Sequence, residues 1–216
     1  MEVVLYAIYL YLSGLSLRQT ARALASIGVK RSYEAVRLWV HKFGELAAEL
    51  TSREKAEIVV DETAVNVGGE RVWLWVAIDP KRRALLALYL SYRRNTLVAH
   101  SFLYELKRRS VKYVLTDGVS WYPDAARWAR LEHKVVHGGV RNYVERFICA
   151  VKDRLRGFDA YFPSPRRLLR SVLTLLYAWA CFYNYAREHM SFGEPPRPMP
   201  GRTELERLKA VIQGGG

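Results

Sequence analysis

The sequence predicts an α/β fold, a mixed five-stranded sheet flanked by helices and preceded by a small helix-turn-helix module, and three observations predict it. Residues 1–50 place apolar side chains at helical spacing around a glycine-containing turn. Three β-branched and aromatic runs then follow one another across turn-forming residues, the pattern of consecutive antiparallel strands. Beyond residue 95, helix-like and strand-like runs alternate, which adds helix-linked strands to the same sheet. The expected division is a helix-turn-helix module over 1–50, a core over 55–190 and a C-terminal tail over 191–216.

In the module, the apolar stretch 3–15 reads as a buried helix. A short helix over 17–24, a turn over 27–29 and a second helix opened by Ser32 follow, because a serine hydroxyl at that place accepts from the open amides of a first turn. Val36, Val40 and Phe43 recur near helical spacing as the packing face and leave Tyr33, Glu34, Arg37 and His41 outward. The strand runs are 58–67, 71–78 and 84–90, parted by Gly68-Gly69 and by Asp79-Pro80-Lys81. A helix over 96–109 leads to a fourth strand, 112–116, which stops at Asp117-Gly118. A short helix over 123–130, a fifth strand over 133–136 and a long helix from about Arg141 complete the core. This order of elements is similar to that of the ribonuclease H-like fold.

A chain of 216 residues suffices for one well-buried domain with a small appendage. Half its residues are hydrophobic and a quarter are charged, which excludes a disordered tail as its main character. Lys and Arg outnumber Asp and Glu by 34 to 21, for a formal net charge of +13 and a pI near 9.9. An excess this large calls for a polyanionic partner, and nucleic acid fits best, because each phosphate neutralised releases condensed counterions. Cys149 and Cys181 lie in apolar helical contexts without metal-ligand spacing, so neither a disulfide framework nor a zinc site is expected and a reducing cytoplasm fits. The apolar stretches 3–15 and 171–186 fall short of the roughly 20 residues a bilayer requires, and no signal-peptide pattern opens the chain. No membrane partner is expected.

Three acids stand out. Asp61 lies in Ile58-Val59-Val60-Asp61-Glu62-Thr63, a carboxylate in a strand otherwise built for burial, where an ionised group is costly unless paired or metal-bound. Asp117 ends the fourth strand just before Gly118, so its side chain can project from the carboxyl edge of the sheet. If the first and fourth strands are neighbours, these two aspartates meet. In the long helix, at about 100° per residue, Val144, Phe147, Ile148, Val151, Leu155 and Phe158 make one face. Arg141, Glu145, Lys152 and Arg156 make an adjacent stripe, one acid among cations, as metal plus phosphodiester binding requires. In the helix-turn-helix, Arg37 can reach a base edge or a phosphate. Each acid also has a plainer reading: a hydrogen-bonded strand acid, a turn former, a solvated helix residue. Spacing, element type and basic surroundings together favour the set.

Several short pieces share a pattern: Arg31-Ser32 through Val36, Trp39, Val40 and Lys42-Phe43-Gly44; Val60-Asp61-Glu62-Thr63; Ala77-Ile78-Asp79; Leu90-Ser91 with Arg93-Arg94-Asn95; Thr116-Asp117-Gly118; and Asn142 with Glu145. On these pieces, which span most of the chain, it resembles the small insertion-sequence transposases with a DDE integrase core, of the insertion-sequence-six kind found in bacteria and archaea. An archaeal branch is expected. The resemblance implies that Asp61, Asp117 and Glu145 are catalytic acids holding two Mg²⁺ (or Mn²⁺) ions for DNA strand cleavage and strand transfer. It implies DNA contact by Lys152, and the set expected to touch DNA is Arg37, Lys42, Arg141, Asn142, Lys152 and Arg156. The implied partners are double-stranded DNA, as terminal inverted repeats and as target, and further copies of the chain in at least a dimer, in a nucleoid-associated cytoplasmic setting. Two rivals stand beside this reading: a catalytically inactive or domesticated DNA-binding protein, and a ribonuclease H or resolvase-type nuclease that cuts without joining. Intact acids speak against the first, and the N-terminal module against the second.

Overall fold

Helix-forming and strand-forming residues divide the chain near residue 50 in the computed structural model, which describes residues 2–49, 57–67, 69–139, 141–156, 168–189, 191 and 193–213. The side chains at 49, 141, 143, 152–156 and 168 lie outside that description. In chain order the elements are α1 (Glu2–Leu12), α2 (Leu17–Ser26), α3 (Tyr33–Glu49), β1 (Glu57–Val67), β2 (Glu70–Asp79), β3 (Ala84–Ser91), α4 (Thr96–Arg108), β4 (Tyr113–Thr116), α5 (Trp121–Ala129), β5 (Glu132–Val135), α6 (Arg141–Arg156), α7 (Leu168–Tyr185) and α8 (Glu204–Ile212). They form two compact units, Met1–Leu50 with Arg170–Gly216, and Thr51–Leu169.

In the helical unit, Ser16 opens α2 with a capping box: its hydroxyl accepts from the Gln19 amide at 3.2 Å, and the Gln19 side chain accepts from the Ser16 amide at 2.9 Å. The Ser32 hydroxyl accepts from the Ala35 amide at 3.1 Å, the cap read from the sequence. Val36, Val40 and Phe43 of α3 are buried, Tyr33 and Glu34 are exposed, and Arg37 and His41 are half-buried, as a 3.6-residue period dictates. α3 meets α7 at Gly44, where a Cβ would fall 2.1 Å from the Thr174 carbonyl oxygen, so only glycine permits the approach.

The C-terminal segment differs from the expected tail. Thr203 and Glu206 form a second capping box, with the Thr203 amide donating to Glu206 Oε2 at 2.7 Å, and Leu208, Ala210 and Val211 of α8 are buried. The compact units part at Leu169 rather than at 190, because α7 belongs with the helices: Tyr9 of α1 and Phe182 of α7 pack edge to face.

In the other unit, β1 pairs antiparallel with β2 and β2 with β3, while β4 joins β1 and β5 joins β4 in parallel. The order β3-β2-β1-β4-β5 is the mixed five-stranded, ribonuclease H-like sheet that the sequence predicts. Successive strand residues point to opposite faces, and β1 uses both. Ile58 and Val60 enter a core with Trp75 and Ala77 of β2, Phe102 and Leu106 of α4, and Tyr122 and Ala126 of α5. Each fully buried large apolar side chain there contributes about 1.5–3 kcal/mol. Val59, Val65 and Val67 are buried on the other face of the strand; α6 packs on β1 and β2 and buries Val144, Phe147, Ile148 and Val151. α5 starts two residues before the expected 123, since Pro123 is tolerated in a first turn, where its missing N–H leaves no bond unmade.

Candidate active site

Strand direction assembles the site. β2 runs against β1 and β3, while β4 and β5 run with β1, so β1, β3, β4 and β5 all run toward one edge of the sheet. The parallel register sets Val59 beside Leu115, and carrying it two residues further brings Asp61 level with Asp117. Both aspartates are half-buried. Adjacent strands lie about 4.8 Å apart, so two acids at matched positions share one small volume. Their charges act on common neighbours: both push up the pKa of Glu62 and of Tyr122.

Local chemistry holds each aspartate. Asp61 Oδ1 accepts from the Glu62 amide at 2.9 Å. Asp117 Oδ1 accepts from the Val119 amide at 3.2 Å, so the turn-forming role open to it in the sequence is also filled. The preceding Thr116 is fully buried; its hydroxyl accepts from the Gly118 amide at 3.3 Å and lies 2.7 Å from His133 Nε2. Gly118 has φ +82°, and a Cβ on it would meet Val135 Cγ1 at 2.8 Å, so the turn that aims Asp117 requires glycine.

Glu145 arrives separately. It is exposed on α6, the helix that packs on β1 and β2. Among the described residues, no three His, Cys, Asp or Glu side chains are gathered closely enough to hold a metal ion. Sheet register thus carries Asp61 and Asp117 toward one edge, while Glu145 rides on the helix whose apolar face packs on the same sheet. Two other acids serve elsewhere. Asp79 ends β2, at the opposite edge, and accepts from the Lys81 amide at 2.8 Å; Asp124 pairs with Arg127 at 2.7 Å.

The sequence reading passed over Glu62 and Arg94, although both lie in the shared pieces. Glu62 follows Asp61 and so turns to the opposite face, where its side chain is 2% exposed. It receives the Arg94 Nε–H at 2.8 Å and the Tyr122 hydroxyl. Burial raises its carboxyl above the usual carboxylate range, Tyr122 and Arg94 draw it back, and Asp61 and Asp117 push it up again. A signal existed: Glu62 continues the alternation of Ile58 and Val60, and a carboxylate at a core position needs a buried donor.

Of the expected DNA contacts, Arg37 lies on α3, 2.7 Å from Glu34, and Lys42 on the same helix is exposed. Asn142 is exposed on α6, the helix that also carries Arg141, Lys152 and Arg156, whose side chains lie outside the described residues. Cys149 is exposed, against the apolar context expected for it, and Cys181 is buried with its thiol pKa pushed up to about 12; both are free. Among the described residues no helix is long and apolar enough to cross a membrane.

Residues 55–159 match a family described as a DDE domain. The chain is 33% identical over 188 residues to an uncharacterized protein of Methanocaldococcus jannaschii, covering 86% of this chain and 87% of the relative. That relative is archaeal, as the resemblance led one to expect. Among solved structures, one chain of the simian T-cell lymphotropic virus intasome in complex with the PP2A regulatory subunit B56 gamma is similar at TM-score 0.50 and 14% identity, over 74% of this chain and 55% of that one. This chain therefore spans about half the length of that one, and the likeness is one of fold. The catalytic core domain of BIV integrase is similar at TM-score 0.47 and 16% identity, over 76% of this chain and 100% of that one. The catalytic core domain of HTLV-2 integrase in complex with magnesium is similar at 0.48 and 14%, over 68% and 96%.

Proposed function

On the premise that this chain belongs to the DDE-domain family of insertion-sequence transposases, we propose that it cuts DNA at the ends of an insertion element and joins those ends to target DNA, with Asp61, Asp117 and Glu145 as the acids that hold the metal ions. What supports this reading is the parallel register of β1 and β4, which sets Val59 beside Leu115 and, continued by two residues, would bring Asp61 level with Asp117. The donor set is all carboxylate, hard anionic oxygen, which suits Mg²⁺ or Mn²⁺. When bound, a pair of such ions supplies positive charge to the attacking and leaving oxygens of an in-line displacement.

The chain's own residues do the rest. Asp61, Asp117 and Glu145 would hold the ions, with Asp117 kept in place by the Val119 amide and the Gly118 turn. Water attacks one phosphodiester and releases a DNA 3′-hydroxyl; that hydroxyl then attacks a target phosphodiester, one P–O bond forming as another breaks. No covalent protein–DNA intermediate is required. The α2–α3 pair grips the terminal repeats through Arg37 and Lys42, and Arg141, Asn142, Lys152 and Arg156 of α6 contact the DNA, the three cations by neutralising phosphates. Two element ends must be held together, so the working form is a homo-oligomer of at least two chains.

A labelled terminal repeat, incubated with Mg²⁺ and either the parent or Asp117→Asn, tests the reading. The amide keeps the shape of the side chain and removes the charge that holds the ion, so the variant binds DNA like the parent and does not cleave it. A parent that binds and never cleaves would favour a non-catalytic DNA-binding protein; one that cuts and never joins would be a nuclease.

A further inference from the structure

Arg94 follows β3, at the edge where Asp61 and Asp117 stand level. Its backbone is held on both sides. The Ser91 hydroxyl accepts from the Trp75 indole N–H at 2.8 Å and donates to the Arg93 carbonyl at 2.7 Å, while Asn95 caps α4 by accepting from the Val98 amide at 3.0 Å. The side chain lies among indoles, its guanidinium carbon 4.5 Å from the ring centre of Trp73 and 4.4 Å from that of Trp121. Its Nε donates to Glu62 at 2.8 Å. A guanidinium in contact with two indoles and bonded along one edge has little freedom left to rotate.

The other end of the group is different. Among the described residues, the two terminal amino groups of Arg94 donate to nothing, and a third of the side chain, 33%, is exposed. Answering the Glu62 charge requires one donor, whereas this arrangement also orients a planar fork and leaves it open to solvent. The partners of Arg94 grow from the segments that carry the acids: Glu62 follows Asp61 on β1, and Trp121 begins α5 one short turn after Asp117. The group is thus a rigid cation beside the proposed reaction edge.

The geometry points to Arg94 as a phosphate-binding residue, whose terminal amino groups take a phosphodiester oxygen of the DNA strand lying along the Asp61–Asp117 edge. Its placement on the substrate path rests on the transposase reading. Glu62 is a positioning residue, since it acts on the DNA only by orienting Arg94. A planar fork matches two phosphate oxygens at once, and a fork already immobilised loses little freedom on binding.

Anisotropy titrations of the full chain with a random-sequence DNA duplex, across about 50 to 200 mM salt, measure how many phosphates the protein neutralises: each phosphate left unneutralised lowers the slope of log K against log salt by about 0.9. Arg94→Gln should lower the slope by about that one phosphate and weaken binding several-fold. Arg94→Lys should keep the slope, because an ammonium still neutralises a phosphate, yet slow cleavage of a terminal repeat, because a point charge does not orient the strand. A parent-like slope in Arg94→Gln accompanied by a lower melting temperature, or an equal fall of slope in Arg94→Lys, overturns the inference and makes Arg94 a structural pin. If Arg94→Gln lowers the slope while the parent never cleaves, the phosphate site stands and the transposase reading falls.

Discussion

Asp61 and Glu62 are consecutive carboxylates on one strand in opposite surroundings. Asp61 is half-buried, on the face that Val59 shares, level with Asp117. Glu62 turns toward the other helices, nearly sealed from solvent, with Arg94 and Tyr122 bonded to its oxygens. The pleat makes the difference, since each residue takes the face its neighbour does not. The first carboxylate accepts from the Glu62 amide on the half-buried face, and the second is answered in the core by Arg94 and Tyr122. An acidic pair in a strand is therefore two separate features, and only the path of the chain tells which of them meets buried partners.

The largest expected effects set the two faces against each other. Asp61→Asn should lower DNA cleavage by about a thousandfold, the several kcal/mol that metal-borne charge supplies to the transition state, with stability unchanged. Glu62→Ala should first lower stability, by about 1–3 kcal/mol, because Arg94 and Tyr122 lose their acceptor in a buried setting and the exposed third of Arg94 moderates the loss. Denaturant melts and cleavage rates on the same preparations would read both. A Glu62→Ala protein as stable as the parent would break the contrast.

The Asp117 side of the edge is tested by Gly118→Ala. A left-handed φ costs a non-glycine residue about 1–3 kcal/mol, and the added methyl would press on Val135. Melting temperature and cleavage should fall together, as the turn aiming Asp117 shifts. Stability lost with cleavage intact would show that Asp117 needs no such turn.

The contrast extends to the cations. Arg94 answers a buried carboxylate, whereas Arg37 pairs with a half-exposed one, Glu34, in an i,i+3 contact of the kind worth about 0.5 kcal/mol or less. Arg37 can leave that partner for DNA at little cost. Arg37→Ala should weaken binding to the element's own ends more than to random duplex, by about 1–3 kcal/mol if the side chain reads a base. Equal weakening on both duplexes would make it a phosphate contact only.

The smallest effect concerns His133, 2.7 Å from the Thr116 hydroxyl. Burial holds its imidazole below the ordinary value of 6.5. Because the folded pKa is the lower one, the unfolded chain takes up the proton first as pH falls, so stability declines through that range and is restored above it. Melting temperatures of the parent and of His133→Asn between about pH 5 and 7.5 should converge at the acid end, and parallel curves would remove His133 from the account.

Much of this molecule was readable locally. The β-branched run from Ile58 to Val67, the helical period of Val36, Val40 and Phe43, the caps at Ser32 and Asn95 and the Asp117-Gly118 stop are each decided within a few residues, by backbone preference and hydrogen-bonding chemistry. The α8 signal, Thr203 three residues before Glu206 ahead of an apolar run, is equally local, and only a tail assignment hid it.

By itself, then, the sequence determined most of the elements and their order, the basic net charge and the residue types able to carry metal and phosphate chemistry. Tertiary structure alone decided that β4 lies beside β1, which sets Asp61 level with Asp117, and that α7 joins the helical unit. It also decided that Glu62 finds its partners 32 and 60 residues away in Arg94 and Tyr122. Such contacts depend on which strands become neighbours, a choice made by the burial of whole faces against each other, and no period of two or of 3.6 residues records it.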